Sequence, residues 1–215
     1  MRSSTIKTSG GDYTTIAGWE ASIADTDHET GSCNSAAELS SATDTLLNAT
    51  NTGSWVYLLT ADATGAVSAP TYANAVTKAR IDVTWGSDAL KVTTTGWVIE
   101  KIAIFARSSG QCFESTQICT FRRCFTWGDS VGIALIEVVG GCTLSNLAIV
   151  CRHGSSNALE VITSGTTTAY HVSVYANNGG TAYKATSSTL TCNGCIAQGS
   201  SSFLYSAGGG GTVNG

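Results

Sequence analysis

Two glutamates 23 residues apart are the residues of this chain best placed to do chemistry. In a repeating structure of that period, Glu137 and Glu160 would lie on neighbouring strands, about 4.7–4.9 Å apart. Retaining glycosidases use two carboxyl groups about 5–5.5 Å apart. Lys184, one period later, would join the same column. The favoured alternative is a charged ladder on a solvated sheet, in which Lys184 relieves the repulsion between the glutamates.

The eight cysteines could bind a metal or form disulfides. Only Cys192 and Cys195 have C-x-x-C spacing, and no second such pair or nearby histidine accompanies them, so we expect no metal site. Their segment reads as a strand, whereas a thioredoxin-like motif opens a helix. Buried thiols that pack as small apolar side chains are favoured over disulfides.

The other residues that could act on a substrate are scattered along the chain. The three histidines are His28, His153 and His171, and no nucleophile motif, phosphate loop or H-E-x-x-H motif occurs around them. Four tyrosines could stack on sugars: Tyr170, Tyr175, Tyr183 and Tyr205. Tyr183 and Tyr205 also fit a core position. We therefore assign no catalytic, cofactor-binding or metal-ligating residue.

The composition of the 215 residues limits the folds that could position these side chains. Hydrophobic residues make up 42% and charged residues only 12%, which is too apolar for a disordered chain. Ser, Thr, Asn and Gly must form the solvent face, and they favour strands over helices. The net charge of −4 argues against a nucleic-acid partner. No segment approaches the roughly 20 apolar residues of a membrane span, and we expect no secretory signal.

A repeat of 21 to 25 residues runs through the second half of the chain. Its copies begin at Lys101, Cys124, Asn146, His171, Asn193 and Asn214. One position later stand Ile102, Phe125, Leu147, Val172 and Gly194, and three positions later stand Ile104, Trp127, Ile149, Val174 and Ile196. A further apolar position recurs at Phe113, Leu135, Leu159, Tyr183 and Leu204.

Stacked apolar positions with this period and no helical stretch predict a parallel β-solenoid. A leucine-rich repeat lacks its consensus here, and a β-sandwich is the minor alternative. We interpret the chain as one continuous domain, with an N-terminal cap and irregular early rungs in residues 1–96 and regular rungs in residues 97–215.

The N-terminal segment reads as a strand, a glycine turn and a short helix near residues 14–24. Asp12 or Thr14 could cap this helix. Ile16, Trp19 and Ile23 would form one apolar face. We expect the helix to cover the open end of the coil, where unpaired strand edges would otherwise aggregate.

The segment from Gly10 to Ile16, G-G-D-Y-T-T-I, followed by a solenoid, resembles the start of right-handed parallel β-helix proteins of the pectin-lyase-like superfamily. The resemblance is close over residues 5–23 and rests on pattern over residues 97–215. It implies an all-β, right-handed, single-stranded parallel β-helix with an N-terminal capping helix. Such folds occur in polysaccharide-degrading enzymes and in phage tailspikes, fibres and capsid-associated proteins.

The catalytic motifs of the polysaccharide-cleaving relatives are absent. Asn-Thr-Asp, Asp-Asp, Gly-His-Gly and Arg-Ile-Lys do not occur, no aspartate cluster for calcium is present, and Arg152-His153-Gly154 lacks carboxylate partners. We therefore expect a non-enzymatic structural protein of a phage particle, either a capsid decoration or a fibre-like element. The expected lack of a secretory signal and a coil that ends with an uncapped edge at Asn214 and Gly215 support this expectation.

The expected partners are further copies of the chain, as a homotrimer, and other virion proteins such as the major capsid protein. The expected location is the virion, after synthesis in the host cytoplasm. No cofactor, nucleic acid or membrane is expected. The alternative function is a polysaccharide-binding or polysaccharide-cleaving β-helix that would act through Glu137 and Glu160.

Overall fold

The structure is a computed structural model that describes residues 1–7, 9–34, 45–61, 79–83, 88–107, 110–129, 133–152, 156–177, 180–199 and 203–215. Within these residues the first strands and the helix are β1 (Arg2–Ile6), α1 (Ile16–Glu20), β2 (Glu29–Cys33), β3 (Thr45–Leu47), β4 (Tyr57–Ala61), β5 (Arg80–Val83), β6 (Leu90–Val92) and β7 (Trp97–Glu100). The next are β8 (Ala103–Ala106), β9 (Phe113–Ser115), β10 (Thr120–Arg122), β11 (Phe125–Gly128), β12 (Ile136–Val139), β13 (Thr143–Ser145), β14 (Ala148–Cys151) and β15 (Asn157–Ile162). The last are β16 (Thr166–Tyr170), β17 (Ser173–Ala176), β18 (Thr181–Thr186), β19 (Thr189–Asn193), β20 (Ile196–Gln198), β21 (Phe203–Gly208) and β22 (Thr212–Asn214).

These strands form three parallel sheets that wind into a solenoid of about seven turns. Sheet A has the order β1-β2-β4-β7-β10-β13-β16-β19-β22, sheet B has the order β5-β8-β11-β14-β17-β20, and sheet C has the order β3-β6-β9-β12-β15-β18-β21. Each regular turn contributes one strand to each sheet, and every strand pairs in parallel with the strands one turn before and after it. The predicted all-β parallel solenoid is confirmed, and its right hand stays a prediction.

A sharp corner leads from sheet A to sheet B in five successive turns. The corner residue has a positive φ between 51° and 62° in each of them: Lys101, Arg123, Asn146, His171 and Gly194. Only glycine, and to a lesser degree asparagine, enters this left-handed region at low cost. The recurrence of this backbone conformation at Lys101, Arg123 and His171 shows that the coil geometry, and not the local preference of the residue, determines the corner.

The corner residues reveal that the predicted register is wrong by one residue in two copies. In register, the inward column of sheet B contains Ile104, Thr126, Ile149, Val174 and Ala197. Cys124 and Thr126 are therefore core residues, while Phe125 and Trp127 lie on the outer face of sheet B. Likewise Cys195 and Ala197 replace the predicted Gly194 and Ile196. The prediction failed because the outward residues of these strands are as apolar as the inward ones.

The second apolar column is also shifted in two copies. The paired residues of sheet C are Phe113, Ile136, Leu159, Tyr183 and Tyr205. Leu135 and Leu204, the predicted members, each precede the paired residue. Leu135 is nevertheless completely buried, and its carbonyl accepts hydrogen bonds from the amides of both Cys112 and Phe113.

The N-terminal helix exists but is shorter than predicted. It is capped by Thr15, whose hydroxyl accepts a hydrogen bond from the Gly18 amide at 3.0 Å. The predicted caps Asp12 and Thr14 are wrong, because the Asp12 carboxylate instead accepts from the amide and hydroxyl of Thr5. The indole of Trp19 is fully buried and meets Trp97 edge-on, with 6.0 Å between ring centroids. That α1 covers the end of the coil stays a prediction.

The first turns are continuous with the regular ones in the described part of the chain. Strands β1, β2 and β4 extend sheet A, β3 extends sheet C, and β5 extends sheet B, each in register with its neighbour. The predicted division at residues 96 and 97 stays a prediction, and the loop at Pro70 lies outside the described residues.

Candidate functional site

A column of charged side chains stands on the outer face of sheet C. Five residues are in register on successive strands β6, β9, β12, β15 and β18: Lys91, Glu114, Glu137, Glu160 and Lys184. The predicted stacking of Glu137, Glu160 and Lys184 is confirmed. The sequence prediction missed Glu114 and Lys91, although both continue the same spacing of 23 residues backwards along the chain. We call Glu114, Glu137 and Glu160 the carboxylate column.

Glu160 is the most fully partnered member of the carboxylate column. Its Oε1 lies 2.9 Å from Lys184 Nζ and accepts from the Thr186 hydroxyl at 2.8 Å. Its Oε2 accepts from Asn157 Nδ2 at 2.6 Å. These contacts provide hydrogen-bond partners for both oxygens of a carboxyl group that is buried. Glu114 is held in a comparable way at the other end of the column by Lys91.

Glu137 stands between these two carboxylates and has no lysine within ion-pair distance in the described part of the chain. Burial raises the pKa of its carboxyl, and the charges of Glu160 and Glu114 raise it further, while a hydrogen bond with Gln111 opposes the shift. The pKa of the Asp88 carboxyl, one turn before Glu114, is also raised. The causes are burial and a hydrogen bond with Glu114.

The carboxylate column thus places Glu137, whose carboxyl pKa is raised, next to Glu160, which is paired with Lys184. A carboxyl group of raised pKa next to a second carboxyl group is an arrangement found in acid–base pairs. The strand spacing of about 4.7–4.9 Å is close to the separation used in retaining glycoside hydrolysis. The pair is therefore chemically capable of proton donation next to a carboxylate.

The tyrosines that could bind a sugar lie away from the carboxylate column. Tyr170 is exposed on the outer face of sheet A, and Tyr175 is exposed on the outer face of sheet B. Tyr183 is completely buried, and its hydroxyl donates to the carbonyls of Val172 and Ile196. Tyr205 stacks on Tyr183 in the last described turn and is 46% exposed. No aromatic platform among the described tyrosines therefore adjoins Glu137 and Glu160.

The outer face of sheet B carries an uncharged surface that sequence reasoning missed. From the second strand onwards, its two outward columns contain Ala103, Phe125, Ala148, Ser173 and Ile196, and Phe105, Trp127, Val150, Tyr175 and Gln198. We call these residues the B face. Phe105 and Phe125 are buried, whereas Tyr175 is 43% and Ile196 is 62% exposed. The sequence pattern predicts Phe125, Trp127 and Ile196 to be core residues, and so it does not predict this surface.

The outer face of sheet A is different in chemistry. Its central outward column presents four successive threonines: Thr120, Thr143, Thr168 and Thr191. These hydroxyls give a polar, uncharged surface, as the composition indicated. The exposed side chains of Tyr175 and Ile196 are therefore a feature of the B face that this threonine column lacks.

The remaining candidates do not meet at one place. His28 Nδ1 accepts from the Val56 amide, and His171 is a corner residue several turns away. His153 and Gly154 lie outside the described residues, while Arg152 stacks over Trp127 at 5.5 Å. Within the described ranges no group of three His, Cys, Asp or Glu side chains could hold a metal ion. In the same ranges no helix has the length and apolar character to cross a membrane.

Comparison with known protein families, with curated proteins and with solved structures found no match to this chain.

Proposed function

We propose that the chain is a non-enzymatic structural protein of a phage particle, a capsid decoration or fibre-like element that associates with copies of itself. The B face is the observation that carries this proposal. The exposed Tyr175 and Ile196 lie near Val150 in two columns that contain no charged residue from β8 to β20, and they resemble the centre of a protein interface, which is poor in charged residues and rich in aromatic ones.

The occupant that we propose for the B face is a second copy of the same chain, in a homotrimer whose solenoids lie side by side. A solenoid presents the same columns along its whole length, so copies can align over several turns. Cyclic assemblies also close without leaving a B face exposed. Burial of apolar area stabilises such contacts by about 25 cal/mol per Å².

The proposed setting is the virion, reached after synthesis in the host cytoplasm, with other virion proteins such as the major capsid protein as further partners. It rests on the resemblance of residues 5–23 to the pectin-lyase-like superfamily, to which we propose the chain belongs. Nucleic acid is not among the proposed partners, because the basic side chains of Lys91, Arg107, Arg122 and Lys184 are engaged with carboxylates of the same chain.

Tyr175→Lys tests the assembly. A charge in the centre of a buried contact loses its hydration without a partner, so we expect light scattering after size exclusion to report a trimer for the original chain and a monomer for the variant. Thr143→Lys, on the exposed outer face of sheet A, is the matched control and should leave the trimer intact. A monomeric original chain, or a trimeric Tyr175→Lys variant, would contradict the proposal.

The setting has its own test. Mass spectrometry of purified particles should detect this chain at a fixed ratio to the major capsid protein. Its absence from particles, in cells that produce it, would overturn the virion location without affecting the trimer.

A second candidate function, polysaccharide binding or cleavage, is favoured by the stacking of Glu137 on Glu160 alone. A glycan array and an assay of released reducing ends would test it. Cleavage that is lost in Glu137→Gln and kept in Glu114→Gln would support this candidate. The positions of Tyr170 and Tyr175 on other faces weaken it, because sugar-binding rings usually line the same groove as the catalytic pair.

A further inference from the structure

Cys192 and Cys195 occupy two core columns that meet at the corner between sheets A and B. Cys192 lies inward in β19, Gly194 forms the corner, and Cys195 immediately precedes β20. In the four preceding turns the same two positions are Ile99 and Ile102, Phe121 and Cys124, Leu144 and Leu147, and Ala169 and Val172. The turn that contains β19 is thus the only one of these five in which both positions are thiols.

The two thiols are neighbours across this corner, and one of them is partly open to solvent. Cys195 Sγ donates to the carbonyl of Ala169 at 3.4 Å, and Ala169 is the residue paired with Cys192 on the adjacent strand. Of the eight cysteines, seven are buried and Cys195 alone is half-exposed. A reagent in solution can therefore reach Cys195 without unfolding of the coil.

Electrostatics agree with this geometry. The neighbouring Cys192 thiol lowers the pKa of Cys195 to about 6, and nearby backbone groups act in the same direction, while partial burial opposes them. The thiolate is the nucleophilic form of cysteine. Cys195 is therefore the attacking residue of the pair, and Cys192 is the residue that completes the reaction.

We propose that Cys192 and Cys195 are an oxidisable dithiol, a modification site for low-molecular-weight disulfides such as oxidised glutathione. The Cys195 thiolate attacks one sulfur of the disulfide R–S–S–R, forms a mixed disulfide and releases one thiolate R–S⁻. Cys192 then gives its proton to solvent and attacks Cys195 Sγ, which forms the Cys192–Cys195 bond and releases the second R–S⁻. The two cysteines lose two electrons in total, and the reagent gains them.

The disulfide would join the end of β19 in sheet A to the start of β20 in sheet B. Strand β20 is the most exposed strand of its sheet, since all three of its residues are at least partly open to solvent. A closed loop of four residues restricts the ways in which this corner can open. We therefore expect amide exchange in β20 to slow on the order of tenfold on oxidation.

Cys119 and Cys142 provide a matched internal control. Their sulfurs lie 3.8 Å apart on neighbouring turns, but both side chains are buried. Neighbouring thiols are therefore common to both pairs, and access of the reagent distinguishes them.

The experiment treats the folded chain with oxidised glutathione, blocks free thiols with N-ethylmaleimide under denaturing conditions, and maps the peptides by mass spectrometry. We expect a Cys192–Cys195 disulfide and six alkylated cysteines. In Cys192→Ser a stable glutathione adduct should accumulate on Cys195, whereas Cys195→Ser should form neither product. Cys119→Ser should leave the Cys192–Cys195 bond unchanged.

Two outcomes would overturn the proposal. One is that Cys192 and Cys195 are both alkylated after treatment with oxidised glutathione, among six or more alkylated cysteines. The other is a disulfide between Cys119 and Cys142 that forms at least as fast as the one between Cys192 and Cys195. Both measurements use the original chain, so they do not depend on how well the variants fold or on the proposed assembly.

Discussion

Thr126 is a hydroxyl residue inside an apolar column. It stands between Ile104 and Ile149, it is completely buried, and its Oγ1 has no hydrogen-bond partner in the described part of the chain. A buried hydroxyl without a partner costs about 1–3 kcal/mol, whereas a methyl group of the same shape does not. Thr126 thus lowers the stability of the core.

Thr126→Val should raise the free energy of unfolding by about 1 kcal/mol, because it removes an unsatisfied polar atom and keeps the side-chain volume. Urea denaturation followed by circular dichroism measures the change. Thr167→Val is the control: Thr167 is equally buried, but its hydroxyl donates to the Val139 carbonyl at 3.1 Å, so this variant should lose about 1 kcal/mol. Equal effects in both variants would contradict the assignment.

Glu137 makes the stability of the fold depend on pH. Its pKa in the folded chain is raised, first by burial and then by Glu160 and Glu114, above an unfolded value of about 4.3. The folded state therefore binds the proton more tightly, and stability falls as the pH rises from the unfolded pKa through the folded one. Below about pH 4 the carboxyl is protonated in both states and costs nothing.

Glu137→Gln should accordingly be more stable than the original chain at pH 7, by up to about 1 kcal/mol because partial exposure screens the charges. The difference should vanish near pH 4. Thermal unfolding at a series of pH values measures it. Glu160→Gln should lose stability at pH 7, since it leaves Lys184 without its carboxylate. A Glu137→Gln variant that is less stable at pH 7 would refute the role given to Glu137.

At the scale of strands and turns, the corner between sheets A and B determines the register. Apolar spacing alone indicated the repeat and its period, but it misplaced Cys124 and Thr126 because Phe125 and Trp127 are apolar on the opposite face. The cue that could have corrected the register is conformational. Asn146 and Gly194 favour the left-handed region, whereas Lys101 and Arg123 give no such sign in their side-chain chemistry.

The candidate site shows the same limit. Equal spacing was enough to stack Glu137, Glu160 and Lys184, because a solenoid repeats each position once a turn. The contacts of Glu160 with Asn157 and Thr186 depend on side chains at other positions of β15 and β18. The spacing of residues carries no information about these contacts or about how deeply Glu137 is buried. The raised pKa of the Glu137 carboxyl therefore could not be predicted from the sequence.

Arg123→Gly should stabilise the fold by about 0.5–1 kcal/mol, because glycine adopts the positive φ of 55° without the steric cost that arginine bears. Chemical denaturation measures it. Arg122→Gly is the neighbouring control and should destabilise, since Arg122 lies in β10 and its Nε donates to Glu100 at 2.8 Å. A loss of stability in Arg123→Gly would show that the Arg123 side chain adds more to the free energy of unfolding than its strained backbone conformation takes away.

At the scale of the whole molecule, the solenoid is a stack in which each turn contacts mainly its neighbours. Ion pairs reinforce these contacts from one turn to the next, as between Arg107 and Asp82 and between Arg122 and Glu100. The strands β11, β12, β14 and β15 lie between turns on both sides, whereas β20 and β22 have mostly exposed residues. Local stability should therefore decrease from the middle of the stack outwards.

Hydrogen exchange measured by mass spectrometry should show this gradient, with the slowest amides in β11, β12, β14 and β15 and the fastest in β20 and β22. The amides within one turn should exchange at similar rates in all three sheets, because a turn opens as a unit. Uniform exchange along the whole stack would show instead that the solenoid opens only globally.

The five corners that lead from sheet A to sheet B have one further consequence. Because the five corner residues share one backbone conformation and the strands that follow them pair in register, we expect that a segment from one corner to the next could be duplicated or lost. Duplication or loss of such a segment would change the length of the rod by about 4.7–4.9 Å and leave every other turn as it was. Insertions and deletions in the gene could therefore change the length of the solenoid in steps of one turn.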